Sequence, residues 1–141
     1  MPTDPLDQVF GKLEALEGEN RARLAKLIVP FAMIDADSGT VGFKKEASKL
    51  TPKQKVLVFL LSRLALSARN PAFSAALSPK EIQDGLSDMP GGTLRPKLGD
   101  LVKDRVVQKD EKSGLYAIRP SSLGRAEALL EDVLPKEVEQ K

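Results

Sequence analysis

Apolar residues recur every three or four positions from the start of the chain: Leu6, Val9, Phe10, Leu13 and Leu16, then Leu24, Leu27 and Ile28 beyond Gly18-Glu19-Asn20. That period predicts an amphipathic helix, or two helices separated at Gly18. Phe31 to Asp35 and Thr40 to Phe43 are short β-compatible runs around Ala36-Asp37-Ser38-Gly39. Asp and Ser bond neighbouring backbone groups and Gly tolerates positive φ, so the four residues read as a hairpin turn. A polar stretch from Lys44 to Lys49 follows.

The middle of the chain is written as helices. Thr51-Pro52-Lys53-Gln54 combines an N-cap, a first-position proline and a capping-box Gln, and Val56, Leu57, Leu60, Leu61 and Leu64 supply an apolar face. Ser78-Pro79-Lys80-Glu81 repeats this grammar with Ile82 and Leu86 inward, ending between Ser87 and Gly92. A third helix starts at Gly91-Gly92-Thr93, carries Leu94, Leu98, Leu101 and Val102 as its stripe, and holds Pro96 in its first turn. After Lys103-Asp104-Arg105 the period changes to two. Val106 to Gln108 and Leu115 to Ile118 predict strands joined by the polar loop Lys109 to Gly114. Ser121 or Ser122 caps a last helix bearing Leu123, Ala126, Leu129, Leu130 and Val133, with Pro135 as its stop and a frayed tail behind it.

Composition narrows the chemistry. The 141 residues contain no His, Cys or Trp, which removes His-based general bases, thiol nucleophiles, Cys/His zinc sites and any disulfide framework. An enzyme is therefore not expected, nor a cofactor or metal. Asp35 to Glu46 spaces oxygens as a calcium loop does, but Thr40 stands where the sharp turn needs Gly, and a hairpin turn is the better reading. No apolar run approaches the roughly 20 residues that span a bilayer, and Met1 to Pro5 lack the basic start of a secretion signal, so a cytoplasmic protein is expected. The net charge of +2 hides an uneven distribution. Residues 1–50 carry 7 basic and 8 acidic side chains, residues 51–120 carry 12 and 7, and residues 121–141 carry 3 and 5. The positive middle points to a polyanionic partner.

In order, residues 48–134 run helix, helix, tight turn, helix, two-stranded ribbon, helix. With Thr93-Leu94-Arg95-Pro96-Lys97-Leu98-Gly99-Asp100-Leu101-Val102-Lys103 running directly into Val106-Val107, and Tyr116-Ala117-Ile118-Arg119-Pro120-Ser121-Ser122-Leu123-Gly124-Arg125 closing the ribbon, this segment resembles a winged helix-turn-helix domain. The expected fold is thus mainly α with a small β component (α+β). An N-terminal helix and β-hairpin extension (1–47) precedes the winged segment with its C-terminal helix (48–134), and a tail (135–141) follows.

The resemblance implies a DNA-binding protein, a dimeric transcriptional regulator or mobile-element accessory factor, contacting double-stranded DNA. A helix about 10 Å wide fits the major groove. Thr93, Arg95, Lys97 and Lys103 would lie on the reading helix, with Arg95 forked onto guanine O6 and N7. Lys80, Lys109, Lys112, Lys53 and Lys55 are phosphate candidates. A homodimer through the N-terminal stripe and the Leu123 to Val133 helix would match palindromic half-sites. The alternative is a protein-docking adaptor that uses the same fold, with the N-terminal extension as partner surface, since Asp100, Asp104, Asp110 and Glu111 dilute the positive face.

Overall fold

A computed structural model describes residues 19–134 except 71, 87 and 88; the Leu6 to Leu16 stripe and the tail from Pro135 lie outside the described residues. The elements are α1 (Glu19–Ile28), β1 (Ala32–Ile34), β2 (Val41–Phe43), α2 (Pro52–Arg69), α3 (Pro79–Gly85), α4 (Gly91–Lys103), β3 (Val107–Lys109), β4 (Tyr116–Ile118) and α5 (Leu123–Leu130). Short 3₁₀ turns, Lys45–Lys49 and Pro120–Ser122, precede α2 and α5. The architecture is mainly helical with two separate antiparallel hairpins. Among the described residues no helix is long and apolar enough to cross a membrane.

Helix α2 is the axis of the molecule. Both halves of its capping box form: the Gln54 amide donates to Thr51 Oγ1 at 3.2 Å, and the Thr51 amide donates to Gln54 Oε1 at 2.9 Å. Six consecutive residues, Val56 to Leu61, are buried, because α1, α3, α4, α5 and the hairpins pack around it on all sides. Such a helix is held by tertiary packing more than by propensity. Gln54 also donates through Nε2 to the Leu129 carbonyl (3.0 Å) and to Asp132 (3.2 Å), fastening the start of α2 to the end of α5. Helix α3 begins with an equivalent box, in which Ser78 and Glu81 exchange bonds of 2.8 and 3.1 Å.

Helix α4 begins at Gly91 and ends at Lys103, as the sequence suggests, but Pro96 is its sixth residue and not part of the first turn, and the bond that residue 96 would make back to the Gly92 carbonyl cannot form. It ends in a Schellman motif: Val106 N–H reaches Leu101 O at 3.1 Å, Arg105 N–H reaches Val102 O at 3.0 Å, and buried Val106 packs beside buried Leu101. The left-handed position, usually Gly, is Arg105 at φ 63°, the only non-glycine with positive φ among the described residues. An L side chain there costs roughly 1 kcal/mol.

The ribbon pairs Val107 with Ile118 and Lys109 with Tyr116. Leu77, just before α3, joins its edge by reciprocal bonds with Tyr116 of 2.9 and 2.8 Å. The first hairpin repeats the second with an offset of 75 residues. Ala32 pairs with Phe43 as Val107 does with Ile118, and both turns read Asp-x-x-Ser-Gly. In each, the Asp carboxylate accepts the amide two residues on, the Ser hydroxyl accepts the amide two residues beyond it, and the Gly sits at positive φ, 79° at Gly39 and 74° at Gly114. The Asp35 oxygen of the first turn thus faces backbone N–H groups, and Asn70 Nδ2 donates to the Ala36 carbonyl at 3.0 Å, tying the turn to the end of α2.

The amides of Asp37 and then Ser38 hold the exposed Asp35 carboxyl below its ordinary value of 3.8. A depressed acid contributes stability that is present above its ordinary value and disappears as pH falls through its folded value. An NMR pH titration is therefore expected to place the Asp35 midpoint below 3.8, with the Asp37 amide shift tracking it. A midpoint at or above that value would remove the turn bonds from the account.

The α1 stripe is consumed within the chain. Leu24, Leu27 and Ile28 are buried, as are Leu123, Ala126 and Leu130 of α5, and all belong to one core cluster that extends from Leu24 to Leu130. Arg23 and Lys26 meet Glu127 at 3.2 and 2.8 Å on the rim of this α1–α5 contact. Exposed pairs of this kind add little. At the start of α5 Ser122 holds the N-cap position, as the sequence suggested, but makes no side-chain cap bond: it is buried and donates instead to the Arg105 carbonyl at 3.4 Å, and the 3₁₀ turn leads the chain in. The helix stops at Leu130, where Val133 and Leu134 amides both fold back onto its carbonyl.

Candidate nucleic-acid interface

The buried stripe of α4 is Leu94, Leu98 and Leu101. At about 100° per residue, Gly92, Pro96, Gly99 and Lys103 lie opposite this stripe, and all four are exposed. Arg95, also exposed, stands at one edge of that face, and part-buried Thr93 and Lys97 stand at the other, so Arg95 and Lys97 flank the face and do not share it. Among the described residues, nothing beyond the helix's own backbone and the chain neighbours lies within 4 Å of where a side chain would begin at Gly92 or Gly99. The helix therefore presents nearly bare backbone between two cations, and a flat partner or a groove wall could approach it closely.

Arg95 makes no ion pair with Asp100, and no carboxylate partner is found for it among the described residues. Lys103, the last residue of α4, is likewise exposed and unpaired among the described residues. Lys80 lies exposed in the first turn of α3, beside the capping box. On the ribbon, Lys109 lies over the Tyr116 ring, 5.7 Å from its centroid, and Lys112 is exposed in the turn. Asp110 occupies its carboxylate locally, accepting from the Lys112 amide at 3.1 Å and the Ser113 hydroxyl at 2.9 Å. That leaves Glu111 and Asp100 as the acidic residues least committed to other contacts on this side.

The two α2 candidates separate from the rest. Lys53 pairs with Asp104 at 2.6 Å, tying the start of α2 to the end of α4. Lys55, two residues on and so about 200° around the helix, lies over Phe43 of the first hairpin at 5.2 Å. Each has a structural occupation, which among the other candidates only Lys109, over Tyr116, shares.

Sequence reading missed a second basic group. Arg105 behind α4, Arg119 behind β4 and Arg125 in the first turn of α5 gather with Lys109 around a cleft at the base of the ribbon. Their signal in the sequence is weak because each sits at a boundary between elements, where no period places it. No family model matches the chain, and neither a curated protein nor a solved structure matches it.

Proposed function

We propose that residues 48–134 form a winged helix that binds double-stranded DNA, with α4 in the major groove and the 110–115 loop along the adjacent backbone. The order of elements supports the reading: helix α2, a bridging residue at Leu77, α3, α4, then the β3–β4 ribbon whose edge that residue joins. The observation that carries it is the exposed face of α4, where small residues leave the backbone approachable and the flanking cations Arg95 and Lys97 have no carboxylate partner among the described residues. Arginine at the edge of an inserted helix can fork onto guanine, and lysines on the flanks and ribbon serve phosphates. A dimeric regulator or a mobile-element accessory factor fits this chemistry. The mate would contact residues other than Leu24, Leu27 and Ile28, which are already buried.

Arg95→Ala is expected to cost about 1–3 kcal/mol on a selected duplex and to relax preference at one base position, whereas Lys112→Ala weakens all duplexes alike. Competition binding on a duplex library reads both. Unchanged affinity and preference in Arg95→Ala would remove α4 as the reading helix.

One observation favours a second reading. A face made of Gly92, Pro96 and Gly99 also suits close packing against a helix of another protein, and Asp100 and Glu111 at its margins would repel phosphate. In that adaptor, Gly99→Arg abolishes a protein complex and leaves duplex binding unaffected.

A further inference from the structure

The cleft at the base of the ribbon has a volume of about 480 Å³, within the roughly 300–1,000 Å³ range of small-molecule sites. Arg105, Arg119, Arg125 and Lys109 line it, with Ser121 and Ser122 on the side of α5, and none of its lining residues is acidic. Among the described residues, four formal positive charges thus converge without a carboxylate. The three arginines form no ion pair among the described residues, although Glu127 and Asp104 nearby are both engaged by other cations. Like charges brought together repel, so a cluster of this kind is at its most stable with an anion between its members.

Arg105 adds a separate argument. It occupies the left-handed position of the Schellman motif, where glycine is the unstrained residue, and its buried neighbours Leu101 and Val106 fix the backbone in that conformation. The motif needs the conformation but has no use for the guanidinium. The side chain faces the cleft instead.

From these two observations we infer that the cleft binds the phosphoryl group of a small phosphorylated ligand. A monocarboxylate would leave most of the cluster unneutralised, and the walls offer little apolar surface beyond Val102 and Val107 for a hydrophobic acid. A phosphoryl dianion matches the charge, and its oxygens accept the paired N–H groups that guanidinium forks present. The exposed Ser121 supplies a further donor, whereas the Ser122 hydroxyl is already given to the Arg105 carbonyl, and the N-terminal turn of the eight-residue α5 points its dipole the same way. Arg105 follows Arg95 by ten residues, about 15 Å along a helix axis, so the ligand would sit beyond the far end of α4 from the guanine-reading position. It would act there as an effector, independently of whether α4 binds DNA.

The test is titration of the full chain with pyrophosphate and with inorganic phosphate, followed by backbone amide shifts and calorimetry, beside a parallel titration with a random-sequence duplex. Saturable pyrophosphate binding is expected, with shifts centred on residues 105, 119–122 and 125. Arg119→Gln and Arg125→Gln should each weaken it about tenfold. Arg105→Gly should weaken it similarly while unfolding at the same or a higher temperature, because glycine takes this φ without strain. Loss of pyrophosphate binding in that folded variant separates a ligand role from a structural one. Pyrophosphate binding by a chain that ignores the duplex would leave this inference standing and sink the DNA reading. Absence of saturable pyrophosphate binding overturns the inference, as does binding unaffected by Arg119→Gln and Arg125→Gln. So does an outcome in which the arginine variants weaken only the duplex, since the phosphoryl group would then belong to a nucleic-acid backbone.

Discussion

Leu101→Ala is expected to lower the unfolding free energy by about 2–5 kcal/mol in urea denaturation, the largest single loss among the substitutions considered. The side chain is fully buried, and its truncation removes apolar contacts and leaves a cavity that the surrounding helices can close only in part. Its site makes the upper half of that range the expected one. Leu101 is the third residue from the end of α4, its carbonyl accepts the Val106 amide that closes the Schellman motif, and its side chain packs beside Val106. Truncation thus loosens both the α2–α4 core and the entry into β3. A loss below about 1 kcal/mol would mean that α4 is not held as described.

Gly85→Ala should destabilise although it improves helix propensity. Propensity alone predicts a gain of about 0.5–1 kcal/mol for Gly→Ala within a helix. Here the added Cβ would stand 2.3 Å from Phe59 Cζ and 2.5 Å from Cε1, well inside van der Waals contact. Phe59 is only 4 % exposed within the buried run of α2, so the ring has nowhere to turn. Overpacking of this severity costs up to about 3 kcal/mol, and a net loss of about 2 kcal/mol is expected. Gly99→Ala is the control: the same change, also in a helix, has nothing within 4 Å and should stabilise by about 0.5–1 kcal/mol. Thermal unfolding of the pair reads the difference, and a stabilised Gly85→Ala would show that α3 does not press its last turn onto Phe59.

These two glycines also show where sequence reasoning stops. Local grammar was legible: Thr51-Pro52-Lys53-Gln54 and Ser78-Pro79-Lys80-Glu81 both form their boxes, and both hairpins form within a residue of their expected strands. These features depend on residues within a few positions of one another, so the sequence carries them whole. Gly85 and Gly99 look alike in sequence, and only the approach of α2 gives one of them a neighbour. The bridge at Leu77 involves a single residue and has no period to read. The end of α4 lacks the glycine that would announce it, because Arg105 stands there.

The candidate site divides along the same line. Arg95 and the α4 stripe follow from helical spacing, and the stripe of Leu94, Leu98 and Leu101 is buried as expected. That Lys53 is tied to Asp104 and Lys55 to Phe43 depends on contacts more than ten residues apart in the chain, and charge counting cannot see them. The arginine cleft draws on α4, β3, the segment after β4 and α5 at once. Conversely, the Asp-x-x-Ser-Gly turn repeated at an offset of 75 residues is present in the sequence, but short polar motifs carry little weight until both copies show the same bonds.

The central claim, that the basic middle of the chain engages duplex DNA, is tested most directly by a salt titration of binding to a labelled random-sequence duplex. Neutralising about four to six phosphates predicts that log K falls with log salt at a slope near −4 to −5. No detectable binding at low salt by a protein that circular dichroism shows to be folded would contradict the claim and leave the exposed face of α4 as a protein-docking surface.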